Sequence, residues 1–145
     1  MLRALGGNPP ISHHSRIIAD GKEYPINKEK LVIGRANVEP SIDIPVIERT
    51  SDRFFLSRKH CYIEKGKDGF FRLFDCSTNG TVWLNNNKEW KPIPNVGLIL
   101  ANIPLVIGLG FSDNPSGFLD KDGNEILPGA YRVIEYRPRD KTQIV

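Results

Sequence analysis

Three short polar clusters carry the side chains that could do chemistry: Gly34-Arg35, Ser57-Arg58-Lys59-His60 and Asp75-Cys76-Ser77-Thr78-Asn79-Gly80-Thr81. Together they hold two arginines, a lysine, several hydroxyls and an Asn amide. Such a set suits a dianion. A guanidinium forks onto phosphate oxygens, and hydroxyl and backbone N–H groups complete the shell. Each charge-assisted bond contributes about 1.5–3 kcal/mol net, so two or three would support a reversible, phosphate-dependent contact. The cost of ordering the partners keeps such a contact from being very tight. Taken singly, Arg35 and Arg58 read as solvated loop charges. The dianion reading therefore requires all three clusters to meet in one place.

The flanking segments supply a way for them to do so. The third cluster lies between the apolar run Phe70-Phe71-Arg72-Leu73-Phe74 and Val82-Trp83-Leu84. Asn79-Gly80 is a turn signal there, because both residue types tolerate positive φ. Lys30–Arg35 is a β-branched run ending in Gly-Arg, and Cys61–Lys65 alternates with period two. Arg16–Asp20, Glu23–Ile26, Ile42–Ile44, Leu98–Leu100, Pro104–Leu109 and Tyr131–Tyr136 are also strand-like. Pro45 to Leu56 reads as a long connection containing Glu48, Arg49, Asp52 and Arg53. No stretch shows a capped helical period. Roughly ten short strands at regular spacing predict an all-β antiparallel sandwich, whose loops gather at two ends. Clusters that each stand at a strand end can then share one of those ends.

The 145 residues fit one domain with a sizeable core. The reading divides them into an N-terminal arm over 1–15, a domain over 16–136 and a polar tail over 137–145. A net charge of +3 is too small to argue for nucleic acid. No apolar run is long enough to span a membrane, and no hydrophobic leader opens the chain. Cys61 and Cys76 fit no metal spacing and read as reduced thiols of a cytosolic or nuclear protein. His13-His14 lacks further ligands, so neither a metal nor a cofactor is expected. Asp120–Glu125 resembles the start of a calcium loop, but Glu125 stands where glycine is required and Tyr131 where glutamate is required. It reads as a hairpin turn. Ser57, His60 and Asp75 lack the strained nucleophile elbow of a hydrolase, and no other base–nucleophile set suggests an enzyme.

Gly34-Arg35, Ser57-x-x-His60 and Asn79-Gly80-Thr81, in that order and each at a strand end, resemble the forkhead-associated (FHA) domain family. The resemblance covers about Arg16 to Tyr136. It implies an eleven-stranded β-sandwich that binds phosphothreonine peptides through loops at one end, a signalling or regulatory adaptor. By that resemblance Arg35 would bind the phosphate, Ser57 would bond a phosphate oxygen and Arg58 would add a flanking contact. Thr78 would touch the phosphate or its surroundings, and Asn79 would clamp the peptide backbone. His60 would brace the phosphate loop, Gly34 and Gly80 would set backbone conformation, and Thr81 would stabilise the loop. The choice of threonine over serine is attributed in the family to a small pocket for the γ-methyl.

Two departures stand out. The segment from Ile44 to Ser57, which borders the peptide groove, is longer than the usual link. Ala101-Asn102 stands where the family often has Gly-Asp. The tail residue Thr142 has an aliphatic residue, Val145, three positions on, the kind of ligand some family members accept. Phosphorylated Thr142 would let the tail bind this domain in cis or in another copy, although an unmodified tail is the simpler expectation. The competing reading of the whole chain is an FHA-type scaffold that binds unphosphorylated partners or itself.

Overall fold

The structure is a computed structural model that describes residues 14–37, 40–48, 55–111 and 130–139. Arg49, Asp52, Arg53, His13, the Asp120–Glu125 turn and Thr142 lie outside the described residues.

Among the described residues there are eleven strands and no helix: β1 (Arg16–Ala19), β2 (Lys22–Pro25), β3 (Lys30–Arg35), β4 (Ile44–Val46), β5 (Cys61–Lys65), β6 (Phe71–Asp75), β7 (Thr81–Leu84), β8 (Trp90–Pro92), β9 (Leu98–Leu100), β10 (Leu105–Phe111) and β11 (Ala130–Arg137). They form two sheets, one in the order β2-β1-β11-β10-β7-β8 and the other β4-β3-β5-β6-β9. The expected all-β sandwich of about eleven short strands is what the described residues form.

Period-two alternation builds the core, since successive side chains on a strand face opposite sides. From the first sheet Ile17, Ile107, Leu109, Ile134 and Tyr136 point inward; from the second Leu31, Ile33, Ile44, Ile63 and Leu73 do so, and all are buried. At about 25 cal/mol per Å² of apolar surface, this interior supplies the main driving force for holding the two sheets together.

One pairing differs from a purely antiparallel sandwich. Strands β3 and β4 run parallel, with Ile33 opposite Ile44 and Arg35 opposite Val46. Parallel neighbours usually need a long crossover. Here β4 is short, and its start has returned to the level of Ile33. Asp43 secures that return: its N–H donates to the Val32 carbonyl at 2.9 Å, and its carboxylate accepts the Val32 N–H at 2.8 Å. The strand also lies two residues later than the sequence suggests. Pro45 argues against a strand, yet β4 is a sheet edge, where a missing N–H is tolerated. Ile44 and Val46 are buried on either side of it.

Candidate functional site

The C-terminal ends of β3, β6 and β10 and the N-terminal ends of β5 and β7 lie at one end of the sandwich. This follows from register: Ile33 pairs with Cys61, Cys61 with Asp75, and Leu109 with Thr81. The three polar clusters therefore meet. Hydrogen bonds link them directly, since the Arg35 N–H donates to the Ser57 carbonyl at 3.1 Å and the Thr78 N–H donates to Ser57 Oγ at 3.0 Å.

At the centre is the tripeptide Phe55-Leu56-Ser57. Arg35 Nη1 donates to the Leu56 carbonyl at 2.8 Å, and Asn79 Nδ2 donates to the Phe55 carbonyl at 3.0 Å. The Leu56 N–H donates to Glu48 Oε1 at 2.9 Å, and the Ser57 N–H donates to His60 Nδ1 at 3.1 Å. Leu56 itself is buried in the core. One tripeptide thus holds the guanidinium, the amide and the serine hydroxyl in fixed relation. Arg35, Ser57 and Asn79 are half-buried, whereas Arg58 and Thr78 are exposed.

Gly34 explains how the first two clusters come so close. A Cβ at this position would lie 1.8 Å from the Arg58 carbonyl oxygen and 2.8 Å from its carbonyl carbon. Only glycine admits that backbone approach. Gly80 is needed for a different reason. Its φ is +89°, which side chains rarely adopt, while nothing lies within 4 Å of where a Cβ would stand.

Asp75 organises the third loop through one carboxylate oxygen. Its Oδ1 accepts the Ser77 N–H at 3.1 Å, the Ser77 hydroxyl at 2.6 Å and the Thr81 hydroxyl at 2.7 Å. Ser77 Oγ in turn accepts the Gly80 N–H at 2.8 Å. The Gly80 carbonyl receives the Gly110 N–H at 2.7 Å, and the Asn79 carbonyl receives the Phe111 N–H at 3.0 Å. These bonds tie the loop to β10 and present Asn79 and Thr78 outward.

His60 is fully buried and joins the second loop to the third. Because Nδ1 accepts the Ser57 N–H, Nε2 carries the proton and donates it to the Gly80 carbonyl at 2.9 Å. Burial pushes the imidazole pKa below its ordinary 6.5, against the raising effect of the Gly80 carbonyl. The neutral tautomer is the one this geometry needs, since a protonated Nδ1 cannot accept. A lowered native pKa means that the unfolded chain binds more protons below about pH 6.5. The contribution of His60 to stability is then complete above that value and is lost as pH falls towards the native pKa. Thermal melts from pH 7.5 down to 5 should show a falling midpoint beginning near 6.5. His60→Ala should flatten that slope and destabilise the fold at neutral pH by on the order of 3 kcal/mol, through two lost bonds and a cavity.

The Ser57, His60 and Asp75 side chains do not form a relay. Both imidazole nitrogens are engaged with backbone groups, and Asp75 holds Ser77 and Thr81. Burial raises the pKa of both Cys61 and Cys76, which keeps the thiols protonated. Among the described residues no group of His, Cys, Asp and Glu could hold a metal ion.

Sequence reasoning missed Glu48, Phe55, Leu56 and Tyr131. The Phe55 ring packs on Tyr131 of β11 with centroids 4.9 Å apart and planes tilted by 55°. Tyr131 in turn donates its hydroxyl to Glu48 Oε2. The one available signal was the short apolar run Phe54-Phe55-Leu56 entering the Ser57 cluster.

A two-sheet sandwich with its polar loops converged at one end defines the class. Residues 31–97 match the family model of the FHA domain, a span that contains all three polar clusters. Two solved structures share the fold. An engineered FHA with a Myc-pTBD peptide aligns with a TM-score of 0.55 at 19% identity, over 88% of this chain and 93% of that one. The N-terminal FHA domain of S. cerevisiae Rad53p, in complex with a phosphothreonine peptide, aligns with a TM-score of 0.51 at 19% identity, over 89% and 96%. No curated protein matches the chain.

Proposed function

We propose that this protein is a non-catalytic phosphopeptide-binding module that recognises phosphothreonine in partner proteins. The observation that carries this reading is the convergence of Arg35, Thr78 and Asn79 on the tripeptide Phe55-Leu56-Ser57, whose Ser57 hydroxyl stands beside them. The Ser57 hydroxyl accepts from Thr78 and keeps its own proton for an acceptor, here a phosphate oxygen. Arg35, anchored through Nη1, brings a planar cation suited to a dianionic group. Asn79 uses one amide hydrogen on Phe55, leaving Oδ1 and the second hydrogen to pair with a peptide backbone. Exposed Arg58 adds a flanking charge, and Thr78 borders the phosphate. His60, Gly34, Gly80 and Thr81 hold the loops in place.

The rival is a scaffold that binds partners regardless of phosphorylation. Its support is that Arg35 and Asn79 both donate to the protein's own backbone, a role needing no ligand. An oriented library of phosphothreonine peptides, screened beside its unphosphorylated counterpart, separates the two. The module retains the phosphorylated pool alone. Equal retention of both pools would favour the scaffold.

A further inference from the structure

We propose that Glu48 is a positioning residue of this site: through Leu56 and Tyr131 it sets the geometry in which Arg35 and Asn79 are presented. The functional meaning rests on the phosphopeptide reading; the geometric claim does not.

Arg35 and Asn79 sit on different strand ends, and their described contacts near each other are with two consecutive carbonyls, Leu56 and Phe55. The place of those carbonyls therefore decides where both donors point. Glu48 fixes that place. Its Oε1 accepts the Leu56 N–H, on the peptide unit that also carries the Phe55 carbonyl. Its Oε2 accepts the hydroxyl of Tyr131, which is fully buried on β11 in the opposite sheet. The carboxylate thus spans from the sandwich interior to the peptide unit that Asn79 grips.

Tyr131 reinforces the same point from its ring, which carries the Phe55 side chain. Phe55 and Leu56 are consequently held by the ring contact, the carboxylate, the amide and the guanidinium. Removing Glu48 takes away the one charged acceptor among these and breaks its bonds to the Leu56 N–H and the Tyr131 hydroxyl. The Phe55–Leu56 peptide unit is then held less firmly, and the carbonyls that anchor both ligand-facing side chains can shift.

The test uses three variants of the full chain. Glu48→Ala removes both bonds. Glu48→Gln retains an acceptor for Leu56 and a group that can pair with the tyrosine hydroxyl. Tyr131→Phe removes one bond while keeping the ring on Phe55. The first readout is NMR of the protein alone, following the Asn79 side-chain amide and the Arg35 Nε–H. Both signals should move in Glu48→Ala, move less in Tyr131→Phe and stay close to wild type in Glu48→Gln. The second readout is affinity for the best phosphothreonine peptide from the library, expected to weaken about tenfold in Glu48→Ala and to be largely restored in Glu48→Gln. Unmoved Asn79 and Arg35 signals in Tyr131→Phe and in any folded Glu48→Ala would overturn the proposal. If the wild type binds no phosphothreonine peptide, the phosphopeptide reading falls, while the NMR readout still decides the role of Glu48.

Discussion

Arg35→Ala is expected to abolish phosphothreonine-peptide binding while the sandwich stays folded. The side chain sits half-buried at the end of β3, where one guanidinium nitrogen is fixed to the Leu56 carbonyl. Two charge-assisted bonds to phosphate would be worth roughly 3 kcal/mol or more, which is at least about a hundredfold in affinity. The cost to stability is smaller, about 1 kcal/mol for one lost bond to a carbonyl. Arg35→Lys should recover little, because an ammonium group cannot hold the carbonyl and fork onto two oxygens at once. Isothermal titration at pH 7.5 reads the affinity, and a thermal melt reads the stability. A variant that binds within threefold of wild type would remove Arg35 from the phosphate site.

An effect on the fold as large as that of His60→Ala is expected from a single methyl group. Gly34→Ala places a Cβ 1.8 Å from the Arg58 carbonyl oxygen. The opposing atom belongs to backbone, so no side chain can swing aside. Either β3 or the Ser57-to-His60 segment must shift, and both are anchored: the Arg35 N–H on the Ser57 carbonyl, the His60 N–H on the Ile33 carbonyl at 2.8 Å. A loss on the order of 3 kcal/mol is expected, together with loss of binding in whatever fraction remains folded. Chemical denaturation measures it. A change below about 0.5 kcal/mol would mean that the close approach is not maintained in solution. Gly80→Ala makes a useful contrast, because there the penalty arises from φ and not from collision.

The strands were legible because their chemistry repeats. Alternation in Cys61–Lys65 and Tyr131–Tyr136, and the β-branched run ending at Arg35, located their segments to within a residue or two. Strand β4 was displaced because Pro45 argues against a strand, while edge position and parallel pairing permit one. The polar clusters were legible for another reason: they hold more hydroxyl, amide and guanidinium groups than a simple reversal requires.

The floor beneath them was not legible. Phe55 and Leu56 contribute carbonyl and N–H groups, which every residue type possesses, so no side-chain pattern marks their role. Glu48 read as one charge among several in a connection. Its meaning depends on Tyr131, which lies 83 residues away in sequence. Asp75 and His60 hold the loop from Ser77 to Thr81, and Phe55-Leu56-Ser57 is where the three loops meet.

The most direct measurement is an NMR titration of the full chain with one peptide in two forms, threonine and phosphothreonine, at pH 7.5 and moderate salt. The phosphothreonine form should shift the amides of residues 34–36, 57–60 and 77–80 together with the Arg35 Nε–H and the Asn79 side-chain amide, and the threonine form should leave them in place. Equal shifts from both forms, or shifts confined to another face of the sandwich, would contradict the account.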